Sequence, residues 1–179
     1  MSHRTILKTI AHRAMLRYGL LPEFSASALD EARRAAPVAP QDRAVRDARG
    51  LLWTSIDNDD SRDLDQLSVA ESLGGGRTKL LVAIADVDAL VPTGSASDDH
   101  ARTNTTSVYT PAEVFPMLPE RFSTDLTSLG EGDDGLDLVV EKTLEAEGEV
   151  VGSDIYRARV LNKARLTYNA VGAWLLDEG

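Results

Sequence analysis

The spacing of apolar and polar positions changes character along this chain. In residues 4–18, RTILKTIAHRAMLRY, Ile6, Ile10, Met15 and Leu16 fall on or near one stripe at helical spacing, with Leu7 and Ala14 at its edge. Gly19 stops that helix. Ser25 or Ser27 caps a second helix over 28–36, with Asp30 and Glu31 in its first turn and Arg33 and Arg34 toward its end. Pro37 and Pro40 then break the pattern, and residues 41–50 read as an exposed bridge. From residue 51 the period shortens. LLWTSI (51–56) reads as a strand of mixed burial, and LDQLSVAES (64–72) alternates as a second. Gly74, Gly75 and Gly76 make a wide turn. KLLVAIADV (79–87) is a third strand, nearly all apolar, as a strand covered on both faces would be, and so central in its sheet. Residues 93–107 form a polar loop that can hold a helix over 97–103. DLVVEKTLEA (137–146) and VVGSDIYRARVL (150–161) are two antiparallel strands around Gly148. LTYNAVGAWLL (166–176) suits a helix, with Tyr168, Val171 and Leu175 at helical spacing. The expected fold is α+β: a small helical region over 1–45, then a mostly antiparallel sheet over 46–179.

Composition narrows the chemistry. The 179 residues are 42% apolar and 27% charged, ordinary for a globular protein, and include no cysteine. Disulfide scaffolds, cysteine nucleophiles, thiol redox centres and Cys-ligated zinc are therefore excluded. Three scattered histidines do not make a His-rich metal site. No apolar run approaches the length of a membrane helix, and the N-terminus lacks the pattern of a secretion signal, so the expected location is the cytoplasm, with no membrane partner.

The net charge of −10 argues by itself against nucleic-acid binding, but its distribution is uneven. Residues 1–50 hold nine Lys and Arg against five Asp and Glu, whereas residues 51–179 hold ten against twenty-four. The two basic helices resemble a helix-turn-helix fragment that could touch nucleic acid; a packing or linker role is the plainer reading. Clustered acids can also bind cations that in turn receive phosphate.

The densest chemical signal is IDNDDSRDLD at 56–65, where five aspartates fall within nine residues. Carboxylates this close repel one another unless they take up protons or cations, and hard oxygen ligands suit Mg²⁺ or Mn²⁺. Asp63 and Asp65 are two residues apart, so extended backbone puts both on one face, and Asp57 must return across a tight loop to join them. An acidic surface turn is the plainer alternative, but the acids alternate with Leu64 and border an apolar strand. A calcium loop starting at Asp57 would place Arg62 where glycine is needed and Ser68 where glutamate is needed.

TSIDNDDSRDLDQLSVA at 54–70 resembles the opening of the catalytic RNB domain of the ribonuclease II and ribonuclease R superfamily. VAIADVD at 82–88, TSVYT at 106–110, VFPMLPERFS at 114–123, SLG at 128–130 and ARLTYNAV at 164–171 resemble further family segments in the same order. The resemblance covers about 51–176 and implies that 46–179 is the first part of an RNB domain. It implies a processive 3′→5′ exoribonuclease that hydrolyses single-stranded RNA to nucleoside 5′-monophosphates with two divalent ions, Mg²⁺ or alternatively Mn²⁺.

By position, the resemblance makes Asp57, Asp63 and Asp65 the first three family carboxylates, as catalytic residues and metal ligands, with Asp65 the acid whose loss stops hydrolysis and spares RNA binding. Gln66 stands where the family has a fourth carboxylate; its amide oxygen keeps a donor but not the charge. This departure raises the alternative of an RNB-like protein that holds RNA with weak or no cleavage. The resemblance also makes Tyr109 and Tyr168 stacking residues for RNA. It puts Arg102 near the loop before Tyr109, where Asn104 and Thr105 replace the family's Arg-Gly pair. It puts Lys163 and Arg165 in the segment before Tyr168, one of them as a phosphate contact, with a solvated pair the plainer reading. Asp86 matches a family aspartate of supporting or structural role. Met117, Leu118 and Phe122 read as packing residues, with Pro116 and Pro119 setting the path. The family's partner segments, the rest of the catalytic domain and an S1-like domain, lie outside these 179 residues, so the isolated chain is expected to be inactive.

Overall fold

The structure is a computed structural model and describes residues 2–37, 45–61 and 64–176. In chain order its elements are α1 (His3–Arg17), α2 (Ala26–Arg34), β1 (Arg46–Asp47), β2 (Thr54–Asp57), β3 (Gln66–Gly74), β4 (Arg77–Ala85), α3 (Ala96–Asn104), β5 (Val108–Tyr109), β6 (Val114–Phe115), β7 (Asp134–Leu144), β8 (Val150–Leu161), β9 (Ala164–Thr167) and α4 (Tyr168–Leu176). The chain passes twice through each of two compact units. One comprises Met1–Pro37 with Val87–Leu126, the other Val38–Asp86 with Thr127–Gly179.

The second unit is a seven-stranded sheet in the order β1-β8-β7-β4-β3-β2-β9. Four pairings are antiparallel, while β1 with β8 and β2 with β9 are parallel. The apolar strand β4 lies in the middle, as its composition predicts. Trp53, Leu67, Leu81, Ala83, Leu129, Val139, Ala158 and Val160 form the core on one face. Trp53 is fully buried, and its indole Nε1–H donates to the Ala48 carbonyl at 2.9 Å. The β3–β4 turn needs positive φ at Gly74, Gly75 and Gly76; a side chain at 76 would also come within 2.9 Å of the Ala146 Cβ.

The local expectations hold with shifts at their ends. Arg46–Asp47, read as part of an exposed bridge, is a strand, because it adds to the edge of β8; residues 41–44 of that bridge are outside the described residues. The strand at 51–56 is displaced to 54–57, since Trp53 turns into the core before pairing begins. The helix at 166–176 starts only at Tyr168, because 164–167 are drawn into the sheet as β9 beside β2.

In the first unit α1 and α2 form where expected, with Ser2 and Ser25 as their N-caps. Of the apolar stripe expected in α1, however, only Met15 is buried; Ile6, Ile10 and Leu16 are exposed, because nine residues carry Met15 to the side of the helix opposite Ile6. Residues 18–25 join them, a longer connection than the roughly three- to four-residue turn of a helix-turn-helix. Asn104 in α3 holds that connection through both of its amide atoms, accepting from the Leu21 N–H at 2.8 Å and donating to the Leu21 carbonyl at 2.9 Å. Glu31 of α2 accepts from the Ala96 and Ser97 N–H groups at 2.9 Å each, satisfying donors at the start of α3 that the helix itself leaves open. Ala32, Val91, Leu118 and Phe122 make the core, with Met117 packed against it.

Candidate active site at one end of the sheet

The parallel pairing of β2 with β9 sets Asp57 opposite Thr167, one residue before Tyr168 opens α4. Asp57 is half-buried at the end of its strand. Its carboxylate accepts from the Asn58 N–H at 2.7 Å and from the Ser61 hydroxyl at 2.8 Å, so the acid organises the turn that follows it. Leu64 anchors the far side of that loop. It is buried, and its carbonyl accepts from the Leu129 N–H at 2.7 Å. The chain then enters β3. The Asp65 carbonyl accepts from the Ala85 N–H at 2.9 Å, and Gln66 pairs with Ile84. Asp65 and Gln66 are both exposed. Asp57, Asp65, Gln66 and Tyr168 thus gather at one end of β2, β3 and β9, and Tyr168 is 58% exposed there, open to a stacking partner.

Arg165 belongs to the same end. Its guanidinium donates to the carbonyls of Asp59 at 2.9 Å and Ser61 at 3.0 Å, and the Asn169 amide donates to the Asp59 carboxylate at 3.3 Å. These contacts tie the acidic turn to β9 and α4. Lys163 is exposed, and its N–H donates to the Trp53 carbonyl at 2.8 Å. Buried Asn162 fixes the corner between β8 and β9, donating to the Leu129 carbonyl at 2.7 Å and the Ser55 hydroxyl at 3.1 Å. Asp63 lies outside the described residues. Tyr109 and Arg102 belong to the other unit. Tyr109 is exposed opposite Val114 in the β5–β6 hairpin, and Arg102 pairs with Asp98 one helical turn back at 2.7 Å.

Among the described residues no three His, Cys, Asp or Glu side chains converge on one point. The donors present at the sheet end are the carboxylates of Asp57 and Asp65 and the amide oxygen of Gln66, all hard oxygens. That donor chemistry fits Mg²⁺ or Mn²⁺, which bind through few carboxylates and keep water and phosphate in the remaining positions.

Two features of this end escape a reading of the sequence. Asp86 accepts from the Arg157 Nε–H at 2.6 Å, an ion pair between β8 and the residue that follows β4. Asp137 lies in β7 between Ala85 and Ala158, fully buried, and neither carboxylate oxygen has a hydrogen-bond partner among the described residues. Burial, reinforced by the charges of Asp86 and Asp134, pushes its pKa up from 3.8 to about 7. The signal for Asp137 was its register: it shares alternation with Val139, which puts a carboxylate on the core face.

A sequence model of the RNB domain matches residues 45–179. Ribonuclease R of Escherichia coli strain K12 is 41% identical over 133 residues, covering 74% of this chain and 16% of that protein. Ribonuclease R of Acidithiobacillus ferrooxidans is 36% identical over 167 residues, covering 92% of this chain and 38% of its own length. The chain therefore spans well under half of the relatives it matches. Among solved structures, the ribonuclease R of Mycoplasma genitalium in complex with ribose-methylated single-stranded RNA superposes with a TM-score of 0.86 at 28% identity, over 97% of this chain and 27% of that one. Yeast Ssd1, a pseudonuclease, shares the fold with a TM-score of 0.70 at 19% identity, over 81% of this chain and 18% of that one.

Proposed function

The chain belongs to the RNB-domain family of ribonuclease R and ribonuclease II, and on that premise we propose that its parent is a metal-dependent 3′→5′ exoribonuclease acting on single-stranded RNA. The observation that carries this reading is the assembly of Asp57, Asp65 and exposed Tyr168 at one end of the sheet, inside the region that matches the family. A divalent ion held there would supply an activated water and charge neutralisation for the departing 3′ oxygen. The chain's own residues do the rest. Asp57 and Asp65, with Asp63, hold the metal, and Gln66 offers an amide oxygen beside them. Arg165 keeps the Asp57–Ser61 turn closed, so that the carboxylates meet the phosphate already oriented. Tyr168 stacks on a base near the scissile end, a contact indifferent to base identity, as an enzyme that consumes a whole strand requires. Tyr109, Arg102 and Lys163 are further RNA contacts in this reading, and the protein acts in the cytoplasm together with the rest of the catalytic domain and an S1-like domain.

The test is release of nucleoside 5′-monophosphates from a 3′-ended single-stranded RNA by the purified full-length parent. Activity in Mg²⁺, its loss in EDTA, and an Asp65→Asn variant that binds RNA but does not cut it are the expected results. Robust cleavage by Asp65→Asn would place the reaction elsewhere. Gln66 favours a second reading, an RNA-holding protein without cleavage, because it removes a formal charge from the metal site. RNA binding by the wild-type parent with no monophosphate release in Mg²⁺ or Mn²⁺ would select it.

A further inference from the structure

Helix α1 has no part in the chemistry above, and its electrostatics are unusual for this chain. In a protein of net charge −10, its fifteen residues contain Arg4, Lys8, Arg13 and Arg17 and no acid. Lys8 pairs with Glu113 at 2.9 Å, and His12 lies 3.3 Å from Glu23. The guanidinium groups of Arg4, Arg13 and Arg17 meet no carboxylate or other acceptor among the described residues. The other arginines of the same unit are all engaged: Arg33 on Asp30 at 3.1 Å, Arg34 on the Asp30 carbonyl at 3.2 Å, Arg102 on Asp98 at 2.7 Å and Arg121 on Asp125 at 2.8 Å. The chain offers acids freely, yet among the described residues three cations on one helix are left without them.

Arg13 and Arg17 are one helical turn apart, both exposed, and so neighbours on one face. Tyr18 follows at the C-cap with 77% of its surface open, more than either tyrosine of the site reading. Met15, buried between them, fixes this end of the helix to its unit. Two exposed cations on one helix face, followed directly in the chain by an open aromatic ring, suit a single-stranded nucleic acid that turns around the helix end, with phosphates on the guanidiniums and a base on the ring. A membrane surface would instead need apolar and basic residues on opposite faces. Here Ile6, Ile10, Arg13 and Arg17 share one stripe, so no clean apolar face exists to enter lipid.

We propose that the C-terminal half of α1, through Arg13, Arg17 and Tyr18, is a second contact for single-stranded RNA, remote in sequence from the carboxylate motif and independent of the metal. The proposal rests on the reading that the parent binds single-stranded RNA. The experiment is a titration of the full-length parent against a fluorescein-labelled oligouridylate, followed by anisotropy in EDTA across a series of salt concentrations. Losing two phosphate contacts should lower the slope of log affinity against log salt by about 1.4 in the Arg13→Ala/Arg17→Ala variant, since each contact to a single strand contributes about 0.7. The Arg13→Lys/Arg17→Lys variant should keep that slope. Tyr18→Ala should weaken binding about tenfold with the slope unchanged, and Tyr18→Phe should not. Wild-type affinity and slope in the double alanine variant would overturn the proposal while leaving the exoribonuclease reading intact. So would a fall in melting temperature with unchanged RNA affinity, which would assign the stripe to packing. Loss of binding to phosphatidylserine vesicles with RNA binding intact would overturn it in favour of a membrane contact. A wild-type parent that does not bind the oligouridylate at all would overturn both readings.

Discussion

At the scale of single residues, Asp137 stands out as a buried carboxyl group whose oxygens find no partner among the described residues. It lies in the core register of β7, with no donor to either oxygen among the described residues and with Asp86 and Asp134 nearby. Its folded pKa is raised, so between 3.8 and about 7 the native state holds a proton that the unfolded chain has released. Stability from this group is therefore highest below the unfolded value and falls as pH rises through that window, by up to about 1.4 kcal/mol per pH unit. Asp137→Asn removes the titration. Urea unfolding of the variant should match wild type near pH 4 and exceed it near pH 8. Equal midpoints at both pH values would show that Asp137 is solvated or paired in solution. Asp137 contrasts with Asp57 and Asp65: in the proposed function those acids sit where a cation can reach them, whereas Asp137 is fully buried.

At the scale of elements, the acidic turn depends on β9 and α4, which come more than one hundred residues later in the chain. Arg165 spans 106 residues of sequence to reach the Asp59 carbonyl, and Asn169 spans 110 to reach its carboxylate. If Arg165 works mainly by holding this turn, Arg165→Ala should lower kcat of the parent by up to about a hundredfold, the loss expected when reacting groups shift by about an ångström, with a much smaller rise in the Kd for RNA. If its main role is to grip phosphate, the Kd and its salt dependence should change first. Paired turnover and binding measurements separate the two. Either outcome should leave thermal stability nearly unchanged, because the bonds that Arg165 makes are exposed and each is worth about 1 kcal/mol or less.

At the scale of the molecule, the charge is unevenly distributed. The acids concentrate after residue 51, and among the described residues three arginines without a partner lie in α1. The chain spans 16% of the Escherichia coli relative and 38% of the Acidithiobacillus one. Catalysis needs alignment within about half an ångström, which the remainder of a catalytic domain helps to enforce. Purified residues 1–179 should accordingly release no monophosphates from single-stranded RNA in Mg²⁺. Metal-dependent release by that segment, free of contaminating nuclease, would show that these elements suffice for the reaction.

Much of this was legible in the sequence because it is local. Alternation located β3, apolar strand-forming stretches around Gly148 located β7 and β8, helical spacing located α1 and α4, and the nearly all-apolar composition of β4 both located it and placed it at the centre of the sheet. The carboxylate motif could be read for the same reason: Asp57 and Asp65 are held by one strand end, one turn and the start of the next strand. What the sequence could not fix is whatever depends on which strands become neighbours. Strand β9 joins β2 in parallel, which brings Tyr168 beside Asp57 and directs Arg165 onto the acidic turn; neither segment carries a local sign of the other. Arg46–Asp47 became a strand only because β8 offered an edge. Asp137 is costly because the tertiary fold buries the sheet face it points to, in a register between Ala85 of β4 and Ala158 of β8. Periodicity reports the face a residue takes. Burial, partners and pKa are set by the elements packed against that face, and those are chosen by the tertiary fold.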